Sequence, residues 1–283
     1  MVGPRVYVAL AALLFSTGGT AIKMSSLSSL QIAGLRSAVA AAVLVALVPS
    51  WRRVDGRSLL VGAAFATTMI LFVTANTLTT AANAIFLQTT SPLYVLVLGP
   101  PLLRERPRRA DLPVAVMIGT GALLFFVWAD TPLASAPNPV AGNLAAAASG
   151  LTWALTVVGL RWLRRGKSRI SDAAGSAVMM GNTLAFLICA PFAWPLASAS
   201  ATDWAIVLYL GVFQIGLAYV CLVRGVRGAP ALDVALLLVL EPVWGTLLAW
   251  AVHGEMLGAW AAIGAFIILL GLVVQAAETV RVD

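Results

Sequence analysis

The chain is a succession of apolar runs, each about 20 residues long, separated by short breaks rich in arginine, proline, glycine or serine. About 20 such residues cross the hydrocarbon core of a bilayer as a helix. Cutting at the breaks gives ten spans: 5–24, 29–49, 58–79, 82–103, 110–129, 139–162, 171–194, 203–223, 230–251 and 257–277. The break between Thr80 and Asn83 rests on length, because 58–103 is too long for one span and too short to hold a soluble domain. Over the 283 residues, 61% are hydrophobic and 10% charged. Soluble domains are roughly half apolar and a quarter charged, so a soluble fold is excluded. The opening run from Arg5 to Phe15 has the outline of a signal peptide but no clear cleavage site, and it matches the runs downstream, so it reads as the first span.

The basic residues test the span count. With the N-terminus in the cytoplasm and the chain alternating sides, sixteen of the 18 basic residues fall inside, among them Arg5, Arg52, Arg53, Arg57, the Arg104–Arg109 cluster, the 161–169 cluster, Arg224, Arg227 and Arg281. Lys23 alone falls outside, and Arg36 lies within the second span. This is the asymmetry expected of a correctly oriented polytopic protein. The expected placement is the cell (inner or plasma) membrane, with both termini cytoplasmic. The net charge of +7 then belongs to loops facing the cytoplasm, and nucleic acid drops out as a partner. No loop exceeds about a dozen residues, which leaves no room for a soluble catalytic domain. Cys189 and Cys221 both sit in apolar runs, His253 is the single histidine, and no P-loop pattern occurs. No metal or cofactor is expected, and no ATP-driven or enzymatic chemistry.

An internal repeat is visible. SPLYVLVLGPPLLRE (91–105) and EPVWGTLLAWAVHGE (241–255) both place proline second and glutamate last, 150 residues apart. Each belongs to the fourth of five spans. The expected units are 1–135 and 136–283, and an odd number of spans per unit turns the second upside down. Inverted repeats of this kind typify secondary transporters, with the binding site near the midplane.

These segments, with Arg36 in IAGLRSAVAAAVLVAL and with LLLVLEPVWGTLLAWAVHGE followed by Gly264 and Gly271, resemble the EamA-type proteins of the drug/metabolite transporter superfamily. The resemblance covers nearly the whole chain. The first half departs from it in carrying Val114 where the second has Gly264, and in the very basic RERPRR. The resemblance implies an all-α polytopic membrane protein of ten helices, in two inverted five-helix repeats around a central cavity. It also implies alternating access and, in most members, export of small metabolites such as amino acids or drug-like compounds. The partners would be a small-molecule substrate, membrane lipid and a possible coupling proton, with the protein working as monomer or homodimer.

Two charged residues lie deep in the spans. Glu241 is about 16 Å in and Arg36 about 12 Å in, at 1.5 Å per residue. Charges at such depth are costly and usually face a cavity or a partner. Glu241 can bind a substrate ammonium group or carry a coupling proton. Alternatively it is structural, capping backbone loosened by Pro242 or neutralising Arg36. Arg36 can brace carbonyls of the bundle or meet a substrate carboxylate. Pro92 and Pro242 read as paired kinks suited to gating. Polar and aromatic residues gather in spans 1, 3, 4, 6, 8 and 9. The expected substrate-binding set is Glu241, Trp153, Thr17, Thr74, Gln88, Ser91, Tyr94, Tyr219 and Trp244; the expected structural and gating set is Arg36, Pro92 and Pro242. Spans 5 and 10 read as peripheral, with Gly258, Gly264 and Gly271 for close packing. Trp51, Trp128, Trp162, Trp194, Trp204 and Trp260 read as interface anchors, His253 as an ordinary loop histidine and Glu105 as an ion-paired loop acid. The reading from another class is an intramembrane lipid-handling protein, flipping or modifying lipid. An enzyme would need a convergent set of nucleophile, base or metal ligands, which one histidine and one clear midplane acid do not supply.

Overall fold

The computed structural model describes residues 3–48, 55–104, 111–127, 133–164, 170–196 and 199–280. Glu105, Trp51, Trp128 and most of the arginine clusters lie outside the described residues. Among the described residues there is no β-strand, only an isolated bridge from Leu133 to Ala136. Among the described residues nine helices are long and apolar enough to cross a membrane, and a shorter apolar helix stands between the fourth and the next. Four crossings precede the short helix: α1 (Pro4–Lys23), α2 (Ser29–Leu47), α3 (Gly56–Leu78) and α4 (Ala81–Leu103). α5 (Asp111–Val127) is shorter than a full span, with its flanks undescribed. α6 (Pro139–Arg164), α7 (Ile170–Cys189), α8 (Ala201–Val226), α9 (Ala231–His253) and α10 (Ala259–Val280) complete the set. The protein is a multi-pass membrane protein.

Helix ends are set by local chemistry. Ser28 and Gln31 form a capping box at the start of α2, and Ser200 with Asp203 forms another at the start of α8. Asp203 is buried and also accepts from the Ser26 backbone N–H at 2.7 Å and from the hydroxyls of Ser25 and Ser26. The α1–α2 turn is thereby pinned to α8.

The most extensive packing joins α3 to α6 and α7, α5 to α10, α2 to α7 and α8, and α1 to α8 and α9. Each of these contacts joins a helix of the first five to one of the last five, so the two halves interlock. Small residues permit the close crossings. A Cβ placed on Gly264 would lie 2.5 Å from the Gly121 carbonyl oxygen, and one on Gly121 would lie 2.7 Å from the Gly264 carbonyl oxygen. Gly121, one helical face along from Val114, thus supplies the small partner that α10 needs. Gly62 on α3 and Gly181 on α7 meet in the same way. With lipid as solvent, such packing rather than hydrophobic exclusion holds helices together.

The start of α1 marks one end of the bundle. Arg5, Arg57, Arg104, Arg161, Arg224 and Arg227 all belong to that end by helix position, and the guanidinium of Arg57 stacks 5.0 Å over the Trp162 ring. Lys23 and Glu255 belong to the opposite end.

Candidate functional site

The helices nearest the centre are irregular where the sequence is polar. α1 is interrupted at Thr17, where the Ser16 and Thr17 hydroxyls donate to the carbonyls of Leu13 and Leu14 at 2.7 and 2.8 Å. α4 is interrupted at Thr89 and Thr90, whose hydroxyls donate to the carbonyls of Phe86 and Leu87 at 2.8 and 2.6 Å. Side chains of this type offer the backbone an alternative to the helical ladder. The second segment of α4 starts at Ser91, so Pro92 occupies a first-turn position where its missing N–H is not needed. Pro242 instead stands inside a helix that runs unbroken from Ala231 to His253. Each proline cannot donate to the carbonyl four residues earlier, which releases the Gln88 and Leu238 carbonyls. α8 contains a π-helical stretch, Leu210–Leu217, a feature frequent at functional sites.

These irregularities surround one cavity of about 300 Å³, in the size range of small-molecule sites. Its polar lining is Arg36, Gln88, Thr89, Ser91, Gln214, Tyr219 and Glu241. Phe15, Met69, Phe72, Trp153, Ile215, Leu238 and Val239 supply apolar wall, and Pro92 and Pro242 both border it. Leu222, Ala235 and Leu272 complete the apolar lining. Phe15 packs edge-on against Tyr219 at 5.0 Å, and Tyr219 against Phe65 at 5.4 Å. Trp153 leans on Phe65 at 6.2 Å.

The two deep charges do not pair. Arg5 pairs with Asp233 and Lys23 with Glu255, whereas among the described residues neither an ion pair nor a hydrogen bond reaches Glu241 on α9. Arg36 is fully buried on α2. Its Nη1 donates to Gln214 Oε1 at 3.4 Å and its Nη2 to the Met69 carbonyl at 3.3 Å, while its Nε has no partner.

Of the residues singled out in the sequence, the cavity gathers Glu241, Trp153, Gln88, Ser91, Tyr219, Arg36, Pro92 and Pro242. The other four lie outside its lining. Thr17 is held in the α1 break and accepts from the Tyr209 hydroxyl at 2.9 Å. Thr74 turns back to the Ile70 carbonyl at 3.0 Å. Tyr94 is half-buried beyond the lining, one turn past Ser91. Trp244 is 44% exposed on the outer face of α9. Met69 and Leu238 also line the cavity and were not singled out, although counting four back from Pro242 reaches Leu238.

The opposite end is closed by a cluster that sequence inspection noted only in pieces. Gly254 adopts φ +67° at the end of α9, a left-handed conformation that glycine takes without strain. The turn brings Glu255 inward to Lys23, with Nζ 2.9 Å from Oε1 and side chains 4% and 1% exposed. Lys23 Nζ also donates to the Thr79 carbonyl at 2.8 Å and to the Ser135 carbonyl. Glu255 Oε2 accepts from Ala81 N–H at 2.8 Å, capping α4. His253 Nε2 lies 3.0 Å from the Thr20 carbonyl oxygen. Four parts of the chain meet there: the end of α1, the α3–α4 junction, the α5–α6 connection and the end of α9. The signal was present as one lone base and one acid at the same predicted end.

Comparison with known proteins places this architecture. The profile of the EamA-like transporter family matches residues 5–127 and again 140–276. An aromatic amino acid exporter, YddG, of Ancylobacter novellus is 29% identical over 160 residues, covering 56% of this chain and 53% of the exporter. An uncharacterized transporter of Methanothermobacter thermautotrophicus is 24% identical over 203 residues, covering 72% of this chain and 59% of that protein. The alignments thus span little more than half the length of these curated relatives. A crystal structure of a protein with 22% sequence identity superposes with a TM-score of 0.65 over 99% of this chain and 98% of its own, which establishes the shared fold.

Proposed function

The chain belongs to the EamA-like transporter family, and on that premise we propose that it is a secondary transporter that exports a small amphipathic metabolite, an amino acid or a drug-like compound, by alternating access. The observation that carries this reading is a mid-depth cavity walled by residues of both halves of the chain. It is mostly apolar and holds a carboxylate, Glu241, without a protein partner. Glu241 serves a substrate ammonium group or a coupling proton, and Trp153 with Tyr219 receives the apolar part of the substrate.

The packing supports two inverted repeats, 1–135 and 136–283. Exchanging each helix for the one five places on turns the α3·α6 contact into α8·α1, α3·α7 into α8·α2, and α4·α6 into α9·α1, and all of these occur. Two units related in this way offer two equivalent gates, of which one is closed here. The gathering of arginine at one end of the bundle supports a cytoplasmic location for that end, in the cell membrane.

The test is flux from proteoliposomes of purified protein, loaded with radiolabelled amino acids or with ethidium, under an imposed pH gradient. Protein-dependent efflux that Glu241→Gln reduces supports the reading. Movement of fluorescent lipid without solute efflux would replace it with lipid handling.

A further inference from the structure

Arg36 is a fully buried charge whose compensation is poor. A guanidinium has five N–H donors in a fixed planar fork and no means of losing its charge inside a protein. Here its contacts are few, long and neutral: Gln214 Oε1 at 3.4 Å, the Met69 carbonyl at 3.3 Å and the Met69 sulfur at 3.8 Å. Good N–H···O bonds fall near 2.9–3.0 Å. Nε is buried with no partner at all. Yet the residue borders the cavity, and the fold presses upon it. A Cβ on Gly211 of α8 would come within 2.8 Å of the Arg36 carbonyl oxygen. Gln214, one turn further along the same π-helical stretch, is itself held over the α1 break, where a Cβ on Gly18 would lie 2.8 Å from its Nε2. The arrangement fixes the guanidinium at the cavity wall while leaving its donors poorly used. Aromatic surface from Phe15, Trp153 and Tyr219 and the unpaired carboxylate of Glu241 border the same space.

We propose that Arg36, positioned by Gln214, is the anion subsite of the cavity, and that the transported molecule is a zwitterion. Its carboxylate meets Arg36, its ammonium group faces Glu241, and its apolar side chain lies on the aromatic wall. The proposal rests on reading this cavity as the transport site. It divides the two substrate classes offered above: amino acids fit both charges, whereas a purely cationic drug-like compound leaves the guanidinium uncompensated in the membrane interior. A planar carboxylate matches the guanidinium fork through two parallel bonds, a geometry that lysine cannot reproduce.

The experiment is equilibrium binding to the purified full chain in detergent with L-phenylalanine and L-leucine. Each is compared with its methyl ester and with the amine that lacks the carboxylate, phenethylamine or isoamylamine. The wild type should prefer at least one amino acid over its ester and amine by tenfold or more. Arg36→Met should bring that ratio close to one, chiefly by weakening the amino acid. Arg36→Lys should shrink it several-fold, and this variant carries the test if Arg36→Met does not fold. Gln214→Leu should shrink it less. Amines and esters that bind the wild type as tightly as the amino acids overturn the proposal, as does a ratio that survives in the Arg36 variants. They are also the result expected if Arg36 serves only to neutralise Glu241. Ethidium efflux without amino acid binding overturns the zwitterion and leaves transport standing. Loss of both overturns the transport reading as well.

Discussion

The molecule contains two sets of deep opposite charges, and it treats them differently. At the closed end, Lys23 and Glu255 are in contact at 2.9 Å, both nearly fully buried, with backbone groups completing their bonding. At mid-depth, Arg36 and Glu241 both border the cavity and no ion pair joins them. The two acids even share one helix and its C-terminal turn, 14 residues apart. Placing charge in a membrane is costly in either position. At the closed end the protein compensates that cost itself and in doing so ties four parts of the chain together. At the centre neither charge compensates the other, which is what the proposed binding of a charged substrate requires. A transporter needs both arrangements, a closed gate that holds without substrate and a binding site whose charges are free to hold one.

The largest expected effect comes from breaking the closed pair. Removing one member of a buried, hydrogen-bonded ion pair strands the other and costs about 3–5 kcal/mol. Lys23→Met and Glu255→Gln should each lower unfolding stability in detergent by that order. The double replacement Lys23→Met with Glu255→Met should recover much of the loss, because nothing charged is left stranded. A pair of single variants that unfold together with the wild type would mean that packing, not charge, closes this end.

Glu241 should behave in the opposite sense. With no protein partner to abandon, Glu241→Gln should leave the unfolding midpoint nearly unchanged. Its effect belongs to the flux. Losing a charge-assisted contact of about 1.5–3 kcal/mol corresponds to a reduction of roughly ten- to a hundredfold. Flux equal to wild type across the pH range would remove both the ammonium and the proton roles, and a large loss of stability would show that Glu241 is structural after all.

How much of this was legible in the sequence follows the same division. The spans were readable because apolar length and arginine placement are one-dimensional properties, and the helices begin and end within a few residues of expectation. The mid-depth residues were readable because a charge within an apolar run is conspicuous: Arg36 and Glu241 both border the cavity. Thr17 and Thr74 were attractive for the same polarity, but a threonine in a helix can satisfy its hydroxyl on the carbonyl three or four residues earlier, and both do. Trp244 was placed by depth alone, and depth says nothing about which face of α9 looks inward. The Lys23–Glu255 contact escaped notice because it joins residues 232 positions apart through a turn at Gly254. The interruption of α4 depends on two threonines ahead of Pro92, whereas the same proline position in α9 leaves the helix continuous.

That turn can be tested with a smaller change. Gly254 has φ +67° and open space where a Cβ would go, so Gly254→Ala adds conformational strain without a clash, about 1–2 kcal/mol. Asn, which tolerates the left-handed region better, should cost less. Equal stability for Gly, Asn and Ala would show that Glu255 reaches Lys23 without help from the turn geometry.

The smallest effect separates charge from burial at a helix start. Asp55 caps α3 much as Glu255 caps α4, accepting from Ser58 N–H at 2.7 Å where Glu255 accepts from Ala81 N–H at 2.8 Å. Asp55 is exposed, and Arg57, which acts on its carboxyl, is exposed as well. Its carboxyl is held below the ordinary aspartate value, chiefly by the Ser58 hydroxyl and then by the Ser58 N–H. A carboxyl depressed in the folded state contributes stability above its unfolded pKa, near about 3.9. That contribution is lost as pH falls through the folded value. Asp55→Ala should therefore cost about 0.5–1 kcal/mol at neutral pH, with the gap to wild type narrowing as pH drops below about 4. Asp55→Asn keeps an acceptor oxygen without a titrating proton, so its gap to Asp55→Ala should stay constant with pH. If the wild-type gap also stays constant, the cap works as a neutral acceptor, and the contrast with the charged, buried cap at Glu255 is wider than the bond lengths imply.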